Sequence, residues 1–204
     1  MSAGPGGNTH IMLDRQTKEQ LLAEIAAGVQ ACKRCPLHAT RNRAVPGAGD
    51  PDARVIFIGE APGYYEDQQG VPFVGAAGQL LDRLLARAGL VREEVFIANV
   101  LKCRPPKNRD PGDTERAACA EYLDAQIGII QPCLICLLGR VPLQALVDPT
   151  ASVTRIHGST IRKDGMLWMP LFHPAAALHQ PHHMSALEAD FDRLGETLPE
   201  VAKT

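Results

Sequence analysis

Four short apolar runs alternate with amphipathic segments along this chain. The runs cover residues 54–58, 94–100, 133–138 and 166–172. Continuous apolar runs of this length are typical of parallel strands that are covered on both faces. Pro170 lies inside the last run and cannot donate a hydrogen bond to a neighbouring strand, so we expect an edge position or a bulge there.

The segments between these runs carry apolar residues at helical spacing. We predict helices at residues 13–32, 76–88, 113–130, 141–147 and 185–198. The tetrapeptide Thr17-Lys-Glu-Gln20 resembles a capping box, which would start the first helix later than its apolar pattern. Alternating strands and helices predict an α/β fold with a four-stranded parallel sheet.

Length and composition agree with one domain, since 204 residues with 45% hydrophobic content can bury one sizeable core. Residues 1–12 are rich in glycine and polar residues, and we predict a flexible tail followed by a single domain at residues 13–204. The N-terminus lacks the pattern of a signal peptide, and no apolar run approaches the roughly 18 residues of a membrane helix. We therefore expect a cytoplasmic monomer without membrane contact.

The chain is slightly acidic overall, with a formal net charge of −2. Any affinity for nucleic acid must therefore come from a local basic surface. Two segments that each contain cysteines concentrate positive charge, at Lys33, Arg34, Arg41 and Arg43 in the first and at Lys102, Arg104, Lys107 and Arg109 in the second. These side chains would either contact phosphates or offset nearby anionic thiolates on a solvated surface.

Polar residues follow three of the predicted strands. Glu60 lies in Gly59-Glu-Ala-Pro-Gly63 after the first strand, Asn99 ends the second, and His173 follows the fourth. In open parallel α/β sheets, ligands bind beyond the carboxyl ends of the strands. These residues together predict a pocket at one edge of the sheet, although they do not identify its ligand.

Six cysteines in such a chain favour metal ligation, a catalytic thiol or core packing over disulfides. Cys32 and Cys35 form a close pair, and Cys103 and Cys119 supply two further thiols. From this spacing, a structural zinc site and an iron–sulfur cluster fit almost equally well. A second close pair, Cys133-Leu-Ile-Cys136, lies in a strand-like run where its side chains point to opposite faces, so we interpret it as core packing.

Several motifs resemble the family 4 uracil-DNA glycosylases, in the same order and at compatible spacings. They are Gly59-Glu-Ala-Pro-Gly63, Gly70-Val-Pro-Phe-Val-Gly-Ala-Ala-Gly78, Asn99-Val-Leu-Lys-Cys-Arg-Pro-Pro106 and His173-Pro-Ala-Ala-Ala-Leu178. The resemblance implies a three-layer α/β/α fold around a small central parallel sheet. It also implies a repair enzyme that flips uracil out of single- or double-stranded DNA and hydrolyses its N-glycosidic bond, leaving an abasic site.

The resemblance also assigns roles to particular residues. Phe73 would stack on the uracil, Asn99 would read its Watson–Crick edge, and His173 would donate a hydrogen bond to O2. Glu60 would act with His173 in catalysis, by positioning the attacking water or by stabilising the cationic sugar, and Asp67 is the alternative carboxylate. The uracil-binding set is then Gly59, Glu60, Ala61, Phe73, Asn99 and His173. The metal ligands would be Cys32, Cys35, Cys103 and Cys119, holding a structural [4Fe-4S] cluster, with zinc the less favoured metal.

Residues next to the predicted pocket also receive hypothetical roles. Tyr64, Tyr65 and Glu66 would crowd the C5 side of the base and exclude the methyl group of thymine. Leu178 would insert into the duplex as a wedge.

Three other functions stay open at this stage. A branch of the same superfamily bonds covalently to the abasic sugar through a histidine in a loop after the second strand, but residues 104–112 contain no histidine. A non-enzymatic metal–cysteine module would bind DNA without releasing a base. A redox protein would need a partner for electron transfer, which nothing in the sequence indicates.

Overall fold

The computed structural model describes residues 13–201, without the side chains of residues 179, 181 and 199–201. The predicted tail at residues 1–12 lies outside the described residues. Among the helices of residues 13–201, none is long and apolar enough to cross a membrane.

A six-stranded sheet forms the centre of the fold. Its strands are β1 (Ala48–Gly49), β2 (Val55–Gly59), β3 (Phe96–Asn99), β4 (Leu134–Leu138), β5 (Ile161–Lys163) and β6 (Met166–Leu171), in the spatial order β1-β3-β2-β4-β6-β5. The four central strands are parallel and are those predicted. The predicted number of four is too low, because β1 and β5 pair antiparallel at the two edges and are too short to show a pattern in the sequence.

The prediction of an edge position for Pro170 is wrong, because β6 lies between β4 and β5. The short β5 pairs only with Met166–Trp168, however, so it ends before reaching the proline. Beyond its end, the carbonyl of Pro170 accepts a hydrogen bond from the backbone N–H of Gly158 at 2.8 Å. Pro170 therefore does not interrupt the hydrogen bonds between β5 and β6.

Eight helices accompany the sheet in the described residues: α1 (Arg15–Ala31), α2 (Tyr64–Gln69), α3 (Ala76–Arg87), α4 (Asp113–Ile130), α5 (Arg140–Leu146), α6 (Val153–Ile156), α7 (Pro174–His179) and α8 (Pro181–Val201). The sequence missed α2, α6 and α7, which are short. It also misplaced the cap of α1: the carboxylate of Asp14 accepts a hydrogen bond from the backbone N–H of Thr17 at 2.8 Å, so Asp14 is the N-cap.

Alternate residues of the strands pack against helices on opposite faces of the sheet. Val55 and Phe57 join α3 and α8 in one core, where the rings of Phe57 and Phe191 stack with centroids 5.9 Å apart. Ile56 and Ile58 join α4 and α5 in the other. This period of two follows from strand geometry. The three-layer α/β/α arrangement is confirmed.

Candidate active site

A cavity of about 340 Å³ opens at the carboxyl edge of the sheet. Its wall brings together five of the residues singled out from the sequence: Glu60, Ala61, Phe73, Asn99 and His173. They converge because parallel strands end at the same edge, and β2, β3 and β6 each deliver a residue there. Gly59 lies directly behind this wall, in register with Asn99 on the neighbouring strand.

Asn99 presents a buried and unpartnered acceptor to this cavity. The residue is 2% exposed, and its side-chain Oδ1 accepts no hydrogen bond from the residues that the structure describes. Leaving such a buried atom unpaired costs about 1–3 kcal/mol. An arrangement of this kind is typical of a site whose ligand supplies the missing donor.

Gly59 allows two of the cavity residues to approach each other. A Cβ atom at this position would lie 2.4 Å from Oδ1 of Asn99 and 2.8 Å from the ring of Phe73. Both distances are shorter than nonbonded atoms allow, so a larger residue would displace one or both side chains. The glycine of the first motif therefore has a direct steric role in the pocket.

The rings of Phe73 and His173 form one wall, with centroids 5.6 Å apart and planes inclined by 28°. The backbone of Phe73 is left-handed, with φ of 53°, which is unusual for an aromatic residue. A flat ligand beside this ring would contact an apolar face, which suits a nucleobase.

His173 is neutral and its proton position is fixed by the fold. The side chain caps α7, with Nδ1 accepting a hydrogen bond from the backbone N–H of Ala175 at 3.1 Å. The proton of the neutral ring must therefore lie on Nε2. Burial lowers the pKa of His173 to about 4, against the opposing effect of Glu66. At neutral pH the residue is thus an uncharged hydrogen-bond donor.

Glu60 lies in the same wall. Burial raises the pKa of its carboxyl group, the negative charge of Asp110 raises it further, and Arg140 opposes both. A carboxylate whose pKa is raised is a better proton acceptor than an ordinary one.

The alternative carboxylate, Asp67, is excluded by its contacts. It is 1% exposed and is absent from the cavity wall. Both of its oxygens accept hydrogen bonds from Asn42, one from the backbone N–H at 2.9 Å and one from the side-chain amide. The hypothesis that Asp67 positions water is therefore wrong.

The residues expected to crowd the base separate into two groups. Glu66 lines the cavity, and its Oε1 accepts hydrogen bonds from the backbone N–H groups of Val74 and Gly75 at 3.1 and 3.3 Å. Tyr64 and Tyr65 are exposed and do not line it. Exclusion of a methyl group stays a prediction for Glu66 only.

Sequence reasoning missed the contribution of the loop after β3. Pro105, Asn108 and Arg109 also line the cavity, and Arg109 forms a bidentate ion pair with Glu115 at 2.6 and 2.9 Å. The position of this loop at the end of a parallel strand could have indicated its role. Its left-handed backbone at Lys107 and Asn108 could not have been anticipated.

The four predicted ligand cysteines, Cys32, Cys35, Cys103 and Cys119, line a second, smaller cavity. Two of the sulfurs accept hydrogen bonds, Cys103 from the guanidinium of Arg41 at 3.0 Å and Cys119 from the backbone N–H of Lys102 at 3.3 Å. Within residues 13–201, no three His, Cys, Asp or Glu side chains are placed to hold a single metal ion.

The other two cysteines do not line this cavity. Cys136 is fully buried in the core between the sheet and α3, and burial raises the pKa of its thiol. This agrees with the interpretation of Cys136 as a small core residue. Cys133 is half-buried at the start of β4.

The basic residues near the cysteines differ in what they can reach. Lys102 is 1% exposed and its Nζ donates to the side-chain oxygen of Gln126 at 2.7 Å, so it cannot contact a phosphate. Arg34 forms an ion pair with Glu121 on the surface.

Leu178, the proposed wedge, is 41% exposed on α7, and its role stays a prediction.

Comparisons with known proteins give a consistent result. The family model for the uracil DNA glycosylase superfamily matches residues 46–195. A type-4 uracil-DNA glycosylase of Sulfurisphaera tokodaii is 44% identical over 86% of this chain and 84% of its own length. A type-4 uracil-DNA glycosylase of Archaeoglobus fulgidus is 41% identical over 86% of this chain and 92% of its own length. One of Thermotoga maritima is 46% identical over 79% of this chain and 85% of its own length.

The lowered pKa of His173 predicts a specific loss of stability in acid. The folded residue stays neutral down to about pH 4, whereas in the unfolded chain it binds a proton near its ordinary pKa of 6.5. Its contribution to stability is therefore complete above pH 6.5 and is lost as the pH falls towards 4. Urea unfolding across this range should show a steeper loss for the wild type than for His173→Gln. Parallel curves would contradict the assignment.

Proposed function

We propose that this chain, which belongs to the uracil-DNA glycosylase superfamily and resembles its type-4 members, flips uracil out of DNA and hydrolyses its N-glycosidic bond. The product is an abasic site, the starting point of base excision repair. The observation that carries this proposal is the buried Oδ1 of Asn99, which lies beside the ring of Phe73 and has no hydrogen-bond partner among the described residues. The expectations of a monomer and of a cytoplasmic location stay predictions.

Recognition of uracil follows from the chemistry of this wall. The base has an N3–H donor that matches the free acceptor of Asn99, and its flat face matches the ring of Phe73. Extruding a base from the stack costs a few kcal/mol, which stacking and edge hydrogen bonds must offset.

Cleavage breaks the bond between C1′ of the sugar and N1 of uracil, and the electron pair leaves with the base. His173 stabilises the resulting anion because its Nε2–H donates a hydrogen bond towards O2 while the ring stays neutral. Glu60 accepts the proton of the water that adds to C1′, or stabilises the positive charge on the sugar before that addition. Release of the base by this route needs no covalent enzyme intermediate.

The covalent branch of the superfamily is the second candidate within this class. The loop that would carry its histidine places Pro105, Asn108 and Arg109 in the cavity wall. It contains no histidine between residues 104 and 112. We therefore propose turnover. A product that stays bound to the protein through a denaturing gel would reverse this choice.

We further propose that Cys32, Cys35, Cys103 and Cys119 hold a [4Fe-4S] cluster. The fit is supported by four thiols around one cavity and by N–H groups directed at two of the sulfurs, since such donors stabilise anionic sulfur. Zinc remains the less favoured occupant. The bound group would cross-link segments that are distant in the sequence. A redox role is not required, because hydrolysis of a glycosidic bond transfers no electrons.

Replacement of His173 by alanine should lower kcat/KM for uracil excision by about 10²–10³, because one donor to the leaving anion is lost. The measurement is single-turnover cleavage of a labelled uracil oligonucleotide by anaerobically purified protein, followed by alkali and denaturing electrophoresis. Uracil-independent DNA binding without base release by the wild type would instead favour a non-enzymatic binding module.

Replacement of Gly59 by alanine should reduce uracil excision strongly, because the added methyl group collides with Asn99 and Phe73. Gly128→Ala is the matched control: this glycine lies in α4, and nothing lies within 4 Å of its added Cβ. Single-turnover rates and melting temperatures should be compared. Equal activity of both variants would show that Gly59 does not set the distance between the two side chains.

Replacement of Cys103 by alanine should remove the visible iron–sulfur absorption and lower the iron content. Cys136→Ala should retain both, since that equally buried thiol lies in the apolar core. Absorption spectra with iron and zinc analysis of anaerobically prepared protein provide the measurement. If the wild type contained stoichiometric zinc and little iron, the proposal of a cluster would be wrong and a zinc site would take its place.

A further inference from the structure

The strained backbone of Phe73 is held in place by surrounding groups. A bulky residue keeps a left-handed conformation only where its environment fixes it. The carbonyl oxygen of Phe73 is directed towards the start of α3, where a Cβ on Gly78 would lie only 1.8 Å from it. The conformation therefore depends on contacts made by the segment at residues 72–75, rather than on the preference of Phe73 itself.

Arg92 binds this segment from the turn that precedes β3. Its Nη2 donates to the carbonyl of Phe73 at 2.8 Å, and its Nη1 donates to the carbonyl of Pro72 at 3.2 Å. Its Nε donates to the carboxylate of Asp82 at 2.6 Å, which fixes the orientation of the guanidinium plane. The rigid planar fork of arginine suits this three-point arrangement, which lysine cannot reproduce.

Glu66 holds the same segment from the opposite side, through the backbone N–H groups of Val74 and Gly75. Glu66 also lines the cavity, whereas Arg92 does not. The side chain of Arg92 is 28% exposed, and its three hydrogen bonds all go to this segment or to Asp82. Arg92 therefore acts on the pocket indirectly, through the backbone at Pro72 and Phe73 and through its contact with Asp82 on α3.

We propose that Arg92 is a positioning residue for base recognition, which fixes the backbone of Phe73 so that its ring is presented to the flipped uracil. This inference rests on the proposed function, in which Phe73 stacks on the base. Loss of Arg92 leaves Asn99, His173 and Glu60 in place, because other elements carry them. The structure therefore assigns to Arg92 an effect on uracil affinity and not on the chemical step.

The test compares Arg92→Met with Arg87→Met in the cluster-loaded protein. Arg87 is a matched control, since it binds Asp192 through Nε and Nη2 at 2.6 and 2.7 Å on the surface and contacts nothing in the segment at residues 72–75. Competitive inhibition by free uracil gives the affinity, and single-turnover cleavage at saturating enzyme gives the chemical step. We expect the inhibition constant of free uracil to rise about tenfold for Arg92→Met. A change of this size corresponds to the free energy of one or two hydrogen bonds. The cleavage rate should stay near that of the wild type.

Two further variants keep the inference testable if Arg92→Met folds poorly. Arg92→Lys retains the charge but not the fork, and should give an intermediate inhibition constant. Asp82→Asn weakens the contact that orients Arg92, and should raise the inhibition constant less than Arg92→Met does. Equal inhibition constants for these variants and the Arg87→Met control would overturn the inference.

A double-mutant cycle with Phe73→Ala separates positioning from general stability. If Arg92 acts through the aromatic ring, Arg92→Met should change the inhibition constant little in the Phe73→Ala background. An equal rise in both backgrounds would overturn the positioning role while leaving the proposed function intact. No effect of Phe73→Ala itself would refute stacking on this residue, and with it the premise.

Discussion

The absence of a side chain at Gly59 determines how closely Asn99 and Phe73 approach each other in the pocket. Because this residue has no side chain, Oδ1 of Asn99 and the ring of Phe73 occupy space that a Cβ would fill. The parallel register of β2 and β3 places Gly59 beside Asn99, so the steric gap and the hydrogen-bond acceptor arise from the same strand pair. Base recognition thus depends on backbone alignment before it depends on any individual side chain.

The same enclosure sets the protonation of the two residues proposed to act in catalysis, His173 and Glu60. Burial disfavours charge, so it lowers the pKa of His173 and raises that of Glu60. A neutral histidine can donate a hydrogen bond to a leaving anion without giving up its proton. A glutamate with a raised pKa accepts a proton more readily from water. Burial alone therefore favours a neutral hydrogen-bond donor at His173 and a stronger proton acceptor at Glu60.

The central parallel strands and the convergence of Glu60, Asn99 and His173 could be predicted because hydrophobic runs and strand ends are local features of the sequence. The edge strands could not, since two or three residues show no periodicity. The exclusion of Asp67 depends on a contact with Asn42, 25 positions away in the chain. Likewise, Arg92 reaches Phe73 across 19 positions, and no local pattern reports such a contact.

The contacts of α2 give a physical account of how the proposed cluster would contribute to a reaction that transfers no electrons. Arg41 donates to the sulfur of Cys103, and the next residue, Asn42, binds both oxygens of the buried Asp67 on α2. The neighbouring Glu66 then holds the backbone N–H groups that follow Phe73. A rigid group at the four thiols would fix one end of this continuous series of hydrogen bonds and covalent neighbours, and the wall of the candidate site lies at the other end. Under the proposed function, a purely structural cluster would therefore be sufficient to influence base recognition.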